Sequence, residues 1–266
     1  MNKVCVVIPM YGKSEYTDKC VKLVLDNSGL DCDILVVDDG SPEPYCYKEP
    51  SNKYLMPVLR LDQNSGFTNA INQGILWAEK RNYDYVHLLN NDTEPHLDFI
   101  RILYDFLDLN PVVGIAASAR IYNTNSPYKI ELFGADLISG YQQCTDGNIP
   151  NEVFFIYWVP LCSALLRMDM IRSIGILDKR MRTWASDNDY CIRANFNGWN
   201  VALIIKSKVF HIHQGTTGKE IEEGVKADQM VLLQKMTAQY AGLMNQLPLD
   251  KGSNTWGRLT FETYKK

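Results

Sequence analysis

Three apolar runs of the sequence are each followed at once by residues that could do chemistry. The polar segments are "PMYG" at residues 9–12, "DDGS" at 38–41 and "NND" at 90–92. They supply one aromatic ring and several carboxylate and amide oxygens, and such oxygens are the ligands that Mg²⁺ and Mn²⁺ prefer. Each segment taken singly also suits an ordinary turn, because Asp, Asn and Gly are common turn residues. The stretch "HLLNNDTEP" is therefore open to three interpretations: a metal or phosphate site, a helix cap, or a polar turn.

The sequence lacks the two familiar loops that bind nucleotide phosphates. A dinucleotide-binding protein would carry GxGxxG after its first strand, where this chain has "PMYGKSE". An NTPase would carry GxxxxGK followed by Ser or Thr, and the nearest match, "GTTGKE" at residues 215–220, has the wrong spacing. What remains is a site rich in carboxylate and amide oxygens, and a nucleotide diphosphate held through a divalent metal would fit it well.

A second group of candidate residues lies later in the chain, in "WASDNDYCIRANFNGW" and "VFHIHQGTT". Ser186 or Asp187 could cap a helix there, and acidic residues at a helix start also oppose the helix dipole. Asp187 and Asp189 are thus candidates for either a structural role or acid–base chemistry. His211 and His213 share one face of a strand, which fits either hydrogen-bonded core histidines or metal ligands.

Positioning these residues requires a regular scaffold, and the first half of the chain has the pattern of one. Nearly continuous apolar runs predict parallel strands at residues 4–8, 33–39 and 85–90. Helical spacing predicts helices at about residues 14–28, 66–82 and 95–109, with Pro95 in the first turn of the last. This alternation predicts a doubly wound, mostly parallel α/β sheet, in which ligands bind outside the carboxyl ends of the strands. The three polar segments should therefore converge on one edge.

The second half of the chain, from about residue 112, is organised differently. Strands are predicted in "VVGIAASARIY" and "FIYWVPLCSALLRM", a short helix in "MDMIRSIGIL", and a strand, a turn and a second strand over residues 201–219. Residues 219–266 are predicted to form a helix followed by a loose tail. That helix either packs on the rest of the protein or makes a peripheral contact with a membrane or another subunit.

Composition excludes several classes of protein. The 266 residues carry a formal net charge of -4 and 46% hydrophobic residues, so the chain can fill its own core but lacks the basic surface that nucleic-acid binding requires. The sequence contains no apolar run of the length expected for a transmembrane segment or a signal peptide. The seven cysteines are odd in number and never spaced CxxC, which predicts reduced thiols and a cytoplasmic protein.

Taken together, the motifs resemble those of a known family. "VVIPMYG", "ILVVDDGS", "NSGFTNAINQG", "LLNND", "SDNDYCIRANFNGW" and "VFHIHQGTT" occur in the order and at the approximate intervals of family 2 glycosyltransferases, whose fold is called GT-A. The "LNND" variant is most similar to the rhamnosyltransferase-like branch. The resemblance covers residues 1–218 and implies two abutting halves: a nucleotide-sugar-binding half at 1–111 and an acceptor-binding, catalytic half at 112–218. Residues 219–266 lie beyond it.

The resemblance implies roles for the donor-side residues. Pro9 and Tyr11 match the loop that lines the nucleoside. Asp39, with Asp38 beside it, matches the carboxylate that contacts the base and the ribose. Asn64 and Gly66 match a turn through which the backbone approaches the nucleotide.

The resemblance also implies a metal site and a general base. Asp92 matches the last acid of the family's DxD motif, which binds Mn²⁺ or Mg²⁺, while an asparagine replaces the first acid, so that Asn91 could assist. His211 or His213 matches a late histidine that completes the metal site in some members. Asp187 matches the acid of the family's ED.D segment and is the expected general base.

The activity implied is inverting transfer of a hexosyl or deoxyhexosyl group from a nucleotide-diphosphate sugar to a hydroxyl of a glycan or lipid-linked glycan. Such a reaction belongs to polysaccharide or glycan biosynthesis, in the cytoplasm or at the inner face of the membrane. Two alternatives remain: a sugar nucleotidyltransferase, which would need a Gly-rich basic loop near its start, and a catalytically idle module that only binds a nucleotide sugar.

Overall fold

The computed structural model describes residues 3–47, 56–121, 129–133, 141–145, 153–212 and 219–240. Eleven strands within these ranges form one sheet, flanked by helices. The strands are β1 (Val4–Met10), β2 (Asp33–Asp38), β3 (Val58–Arg60), β4 (Tyr85–Leu89), β5 (Thr93–Pro95), β6 (Val113–Ile121), β7 (Lys129–Phe133), β8 (Tyr141–Thr145), β9 (Val153–Phe155), β10 (Ser163–Arg167) and β11 (Asn200–His211). The helices are α1 (Ser14–Asn27), α2 (Phe67–Glu79), α3 (Phe99–Leu109), α4 (Met168–Ile174), α5 (Ser186–Phe196) and α6 (Lys219–Lys235), and a π-helical turn at Met236–Tyr240 follows α6. The main path of the sheet has the order β3-β2-β1-β4-β10-β6-β11-β5.

The first half of the sheet is parallel, as the apolar runs predict. Strands β3, β2, β1 and β4 are neighbours in parallel register. Helix α2 lies close to β1, because a Cβ on Gly74 would be only 2.3 Å from Cγ1 of Val7. The α/β class is therefore confirmed, and the carboxyl ends of β1, β2 and β4 lie side by side.

The second half of the sheet is mixed. Strand β10 runs antiparallel between β4 and β6, while β11 is parallel to β6 and antiparallel to β5 and β9. The predicted helix start at Pro95 is wrong, since Pro95 is the last residue of β5 and is paired with Val209, and α3 begins only at Phe99. Pairing with a strand more than a hundred residues away overrides the local helix-start signal.

Strand β11 is continuous over residues 200–211, so the predicted division into strand, turn and strand is also wrong. The pairing of β11 with β6 instead has an irregularity. Ile204 is paired with Ser118, whereas Lys208 is paired with the next residue of β6, Ala119. Three residues of β11 thus have no counterpart in β6. Such bulges bend a strand without ending it, and this one leads directly to His211.

Helix α5 begins without the side-chain cap that the sequence suggests. Its N-cap is Ala185, which has a left-handed backbone with φ 61°, and no side chain caps the helix. Oδ1 of Asp187 accepts a hydrogen bond from the adjacent backbone N–H of Asn188, at 2.8 Å. The prediction that Ser186 or Asp187 caps α5 is therefore wrong.

Apolar side chains fill both faces of the sheet. Alternate residues of β1 and β2 enter different clusters: Val7 and Leu35 belong to the cluster beneath α2, and Val6 and Ile34 to the one beneath α1 and α3. The cysteines take part in this packing, as predicted. Six of them are described as free thiols: Cys5, Cys20, Cys32, Cys162 and Cys191 are buried, and Cys46 is exposed.

Helix α6 packs against α5 through a few buried side chains. Asp228, Lys235 and Met236 are buried, whereas Met230 and Leu233 are about half exposed. In the described part of the chain, no helix combines the length and the apolar character needed to cross a bilayer. The predicted tail, residues 241–266, lies outside the described residues.

Candidate active site

The loop after β1 brings one of its two predicted nucleoside contacts to the surface. Pro9 lies inside β1, buried and paired with Val37, whereas the side chain of Tyr11 is 53% exposed. The chain then turns at Gly12, which has φ +60° and whose N–H donates to Oγ of Ser41 at 2.9 Å. Tyr11 is therefore the residue of this loop that is free to stack on a ligand.

Asp38 is occupied with holding the loop that follows β2. Its carboxylate is fully buried and accepts hydrogen bonds from the backbone N–H of Ser41 at 2.8 Å and of Tyr45 at 3.2 Å, and from Arg60. Burial alone would raise the pKa of Asp38, but these hydrogen bonds hold it below its ordinary value. The geometry gives Asp38 a structural role and leaves the outer position to Asp39.

Asp39 ties the end of β2 to the turn before α2. Oδ1 accepts from the backbone N–H of Ser65 at 2.8 Å and from its hydroxyl at 2.6 Å, while Oδ2 accepts from the N–H of Gly66 at 2.8 Å. The side chain is almost wholly buried. Each carboxylate oxygen has two lone pairs, so one further donor can be accommodated at Oδ2.

The turn at Asn64 and Gly66 is built around an arginine from the second half of the chain. Nη2 of Arg182 donates to Oδ1 of Asn64 at 2.6 Å and to its backbone carbonyl at 3.0 Å. A Cβ on Gly66 would lie 2.2 Å from Cγ of Arg182, and Gly66 has φ +93°. Glycine is thus required here twice over, for its backbone conformation and for the close approach of Arg182.

The tip after β4 meets the end of β11. Nε2 of His211 lies 2.9 Å from Oδ1 of Asp92 and 3.3 Å from Nδ2 of Asn90. Oδ1 of Asn90 is buried and has no hydrogen-bond partner among the described residues. Asn91 points elsewhere, since its amide donates to the Thr17 hydroxyl at 3.1 Å. Asn90, rather than Asn91, accompanies Asp92 and His211.

His213 lies outside the described residues, so the structure bears on only one of the two candidate histidines. Burial would lower the pKa of His211, but its hydrogen bond with Asp92 raises that pKa to about 10. The imidazole therefore holds a proton on Nε2, directed at Asp92. A cation bound by both groups would replace this proton.

The donor set at this tip suits a divalent cation. It offers a carboxylate oxygen, an imidazole nitrogen and the buried amide oxygen of Asn90, all of which Mn²⁺ accepts. Among the described residues, His, Cys, Asp and Glu side chains form no cluster of three that could hold a metal. The fit therefore depends on the amide oxygen of Asn90, whose missing partner a cation would supply.

Asp187 lies in the first turn of α5, half-buried. Burial raises the pKa of its carboxyl to about 6, although the hydrogen bond from the backbone of Asn188 and the positive charge of Arg120 oppose the rise. The neighbouring Ser186 accepts a hydrogen bond from the hydroxyl of Thr68 at 3.0 Å, so the start of α5 abuts the start of α2. A carboxylate with a raised pKa beside the donor turn is suited to accept a proton.

Asp189, two residues on, is fully buried and has a structural role. Its Oδ2 accepts from Nε of Arg193 at 3.0 Å, and its Oδ1 lies 2.5 Å from Nζ of Lys235. Lys235 also contacts Asp178 at 3.0 Å. The structure thus distinguishes the two acids of the "SDND" segment. Asp187 has one oxygen without a hydrogen bond to the described residues, and Asp189 is part of an ion-pair network.

Three site residues are not evident from the sequence: Arg120, Arg182 and Asp228. Arg120 connects the two parts of the site, since its Nη1 is 3.4 Å from Nδ1 of His211 and its charge acts on Asp187. A lone arginine near the end of the apolar strand β6 was a signal that could have identified it. Arg182 and Asp228 act through contacts with residues distant in the sequence, for which no local signal exists.

Solved structures share this fold. The chain superimposes on the crystal structure of GalNAc-T7 with UDP, GalNAc and Mn²⁺ with a TM-score of 0.63 and 13% identity, over 88% of this chain and 48% of that one. It superimposes on Staphylococcus aureus TarS with a TM-score of 0.56 and 14% identity, over 89% and 40% of the two chains. The predicted GT-A fold, a doubly wound sheet with two abutting halves, is confirmed.

Sequence relatives agree with this. The glycosyltransferase GlyG of Streptococcus pneumoniae is 20% identical over 86% of this chain and 65% of its own length. A dolichol-phosphate mannosyltransferase of Pyrococcus furiosus is 37% identical over 27% of this chain and 21% of its own, and an uncharacterised Rickettsia conorii glycosyltransferase is 28% identical over 52% and 22%. The chain covers less than two thirds of each of these relatives. The family model described as glycosyl transferase family 2 matches residues 5–156, more than half of the chain, and this chain therefore belongs to glycosyl transferase family 2.

Proposed function

We propose that this protein transfers a sugar from a nucleotide-diphosphate sugar to an acceptor hydroxyl, with inversion at the anomeric carbon. The observation that carries the proposal is the position of Asp187: a half-buried carboxylate with a pKa raised to about 6, at a helix start that abuts the donor turn. A group of this kind is ionised at neutral pH and basic enough to take the acceptor proton.

The donor is assigned to the edge formed by the first half of the chain, residues 1–111. Tyr11 is exposed and can stack on the base, and Asp39 has a lone pair left for the nucleoside beside the turn that it fixes. Asn64 and Gly66 line the same turn, with Arg182 across it. This arrangement provides both an aromatic face and hydrogen-bond acceptors for a nucleoside.

The diphosphate is assigned to the tip that contains Asn90, Asp92 and His211. These residues would hold Mn²⁺ or Mg²⁺, and the chemistry that such an ion supplies when bound is neutralisation of the charge on the departing diphosphate. Arg120, next to His211, adds a fixed positive charge between this tip and Asp187. This charge can offset the negative charge of the diphosphate on the side that faces Asp187.

The chemical step requires the acceptor hydroxyl to lie between Asp187 and the anomeric carbon. Asp187 accepts the hydroxyl proton, the oxygen forms the new glycosidic bond, and the bond to the diphosphate breaks on the opposite face. Attack from that side inverts the configuration. We assign the acceptor to the second half, residues 112–218. There the side chain of Trp184 is 52% exposed, three residues before Asp187 in the sequence.

The finer parts of the proposal concern the sugar and the setting. We assign a hexosyl or deoxyhexosyl donor, of the rhamnosyltransferase-like kind, because of the "LNND" tip. The acceptor is a glycan or lipid-linked glycan made for polysaccharide biosynthesis in the cytoplasm or at the inner face of the membrane. The relatives support this only through their names, which include a dolichol-phosphate mannosyltransferase.

The direct test is a thermal-shift panel of nucleotide diphosphates and nucleotide sugars, each with and without Mn²⁺. Binding to the folded state raises the free energy of unfolding by mass action, by about 2.7 kcal/mol at a hundred times Kd, and the thermal midpoint rises with it. We expect one nucleotide series to give a metal-dependent shift, and slow release of nucleotide diphosphate from the matching sugar donor. A shift without any release would identify an idle binding module, and release of pyrophosphate from a nucleoside triphosphate a nucleotidyltransferase.

The metal assignment has its own variants. Asp92→Ala and His211→Ala should each remove the metal-dependent part of the shift, because each deletes a ligand. Asp169→Ala, which changes an exposed acid of α4 paired with the exposed Arg172, is the control and should behave as the unaltered protein. Full metal-dependent binding in Asp92→Ala would refute the assignment.

A further inference from the structure

Helix α6 lies beyond the part of the chain that the family model matches, yet one of its side chains reaches the loop before Asp187. Asp228, in the middle of α6, is buried, with 4% of its surface exposed. Oδ1 accepts a hydrogen bond from the backbone N–H of Arg182 at 3.0 Å, and Oδ2 accepts from those of Thr183 and Trp184 at 2.8 Å each. Three consecutive backbone N–H groups thus converge on one carboxylate, the arrangement by which backbone nests bind anions.

Besides Asp228, the loop is held at Arg182, whose side chain donates to Asn64 and whose carbonyl accepts from the N–H of Thr68 at 3.0 Å. The residues at 182, 183 and 184 are all exposed, so apolar packing does little to fix them. Backbone N–H groups of a loop need acceptors, and hydrogen bonds to a charged acceptor are about twice as strong as those between neutral groups. Asp228 supplies the acceptor for all three.

What the loop positions is the start of α5. Ala185 follows at once with φ 61°, a conformation that costs a non-glycine residue about 1–2 kcal/mol. Strain of this kind persists only where the surroundings impose it. Asp228 fixes the chain on one side of Ala185, and Thr68 of α2 on the other, where its hydroxyl donates to Ser186.

Helix α6 has a second attachment, at its last residue. Nζ of Lys235 lies 3.0 Å from Oδ2 of Asp178 and 2.5 Å from Oδ1 of Asp189, and all three side chains are largely buried. The ammonium of Lys235 thus binds both ends of the segment formed by residues 178–189. Asp228 holds the middle of the same segment. Asp187 is the acid of this segment that neither attachment uses.

We propose that α6 belongs to the catalytic apparatus, with Asp228 as a positioning residue that holds residues 182–184 and thereby sets the direction of Asp187 toward the acceptor hydroxyl. The proposal rests on the assignment of Asp187 as the base. Asp228 touches neither donor nor acceptor. Its loss should therefore reduce turnover by more than it reduces donor affinity, which Arg182 affects through Asn64.

The test variant is Asp228→Asn, which keeps the size of the side chain but replaces one accepting oxygen with an N–H group that faces other N–H groups. We expect turnover to fall by about 10- to 100-fold, since a misplacement of about 1 Å can cost a hundredfold. Calorimetry should show a smaller loss of affinity for the nucleotide diphosphate than of turnover, because Arg182 keeps its bonds with Asn64. A loss of donor affinity equal to the loss of turnover would overturn the proposal, because it would place Asp228 at the donor.

Two controls separate positioning from general stability. Gln229→Ala changes the exposed next residue of α6 and should leave turnover unchanged. Ile100→Val removes one methyl group from a fully buried side chain of α3, on the far side of the sheet, and should lower stability by about 0.5–1.5 kcal/mol without moving the loop. If Asp228→Asn loses no more turnover than Ile100→Val at a comparable thermal midpoint, the proposal is wrong.

Hydrogen exchange of the unaltered protein provides a measurement that needs neither a variant nor activity. The amides of residues 182–184 should exchange as slowly as those in the middle of α6, because they open only when the helix leaves. Exchange at the rate of a free loop would overturn the proposal even if Asp228→Asn does not fold. Failure of the proposed function would show differently, as the absence of nucleotide binding in a protein whose loop is still protected.

Discussion

At the scale of single residues, the proposed function depends on two neighbouring acids in different surroundings. Asp187 is half-buried at the site with a raised pKa, while Asp189 is fully buried between Arg193 and Lys235. Asp189→Asn would therefore weaken a buried ion-pair network and lower stability. It cannot serve as a neutral control for the base.

Asp187→Asn is the sharpest single-residue prediction. Removing the base should lower turnover by about 10²- to 10⁴-fold and leave the affinity for the donor unchanged. The raised pKa means that the ionised carboxylate opposes folding above about pH 6. The thermal midpoint of the variant at pH 7.5 should thus be equal to or higher than that of the unaltered protein. A lower midpoint with a proportional loss of activity would give Asp187 a structural role.

The same carboxyl predicts the pH dependence of the reaction. Asp187 can accept a proton only when ionised, so kcat/KM should rise with pH through a midpoint near 6. Steady-state rates measured at saturating metal between pH 5 and 8 would show this limb. The residual activity of Asp187→Asn should lack it, and an unchanged limb in that variant would assign the titration to another group.

At the scale of the elements, the turn before α2 depends on one glycine. Gly66→Ala places a Cβ 2.2 Å from Cγ of Arg182 and forces φ +93° on alanine, which should cost about 1–3 kcal/mol and weaken nucleotide binding by displacing Arg182 from Asn64. Gly224→Ala in α6 is the matched control, because a Cβ there meets no atom within 4 Å and alanine favours a helix by about 0.5–1 kcal/mol. Denaturant unfolding and calorimetry of both variants test this. Equal stability of the two would contradict the prediction.

The elements also show how far the sequence can predict this structure. Strands β1, β2 and β4 follow from continuous apolar runs, and helix α2 follows from its helical periodicity, because each pattern is complete within its segment. Strand β5 does not, since Thr93–Pro95 is a strand only through its pairing with β11. Nor does the irregularity in β11, which changes the phase of side-chain alternation on the way to His211.

The candidate site divides in the same way. Asp92 and Asp187 were identifiable from motifs, since their neighbours along the chain carry the pattern. Arg182 meets Asn64 from 118 positions away, and Asp228 meets Arg182 from 46. No periodicity or spacing within a segment records such contacts. The residues that we propose to touch the substrates were thus identifiable from the sequence, and those that hold them in place were not.

At the scale of the whole molecule, the buried ion pairs of Lys235 join the C-terminal helix to the catalytic half. Lys235→Met should lower the free energy of unfolding by about 3 kcal/mol, the lower end for breaking a buried pair, since Arg180 and Arg193 still face the two carboxylates. Lys226→Met, an exposed position of the same helix, is the control. Urea unfolding at pH 7 measures the difference, and equal loss in both variants would argue against the network.

The pH dependence of this stability difference follows from Asp178. The hydrogen bond from Arg180, with help from Lys235, holds the pKa of Asp178 well below its usual value. Its contribution to stability is present above the ordinary pKa of an aspartate and is lost as the pH falls toward the depressed one. The stability difference between Lys235→Met and the unaltered protein should therefore shrink below about pH 4.

The distribution of thiols has a practical consequence for measuring all of this. Burial raises the pKa of the thiols of Cys5, Cys20 and Cys191, and raises that of Cys20 to about 12, so these side chains are poor nucleophiles in the folded state. Cys46 is the exposed thiol among the six described, next to Tyr45, whose N–H binds Asp38. A maleimide dye should attach there in preference to the buried thiols, close to the loop that adjoins Asp39, and its fluorescence would report occupation of the nucleoside site without any substitution in the chain.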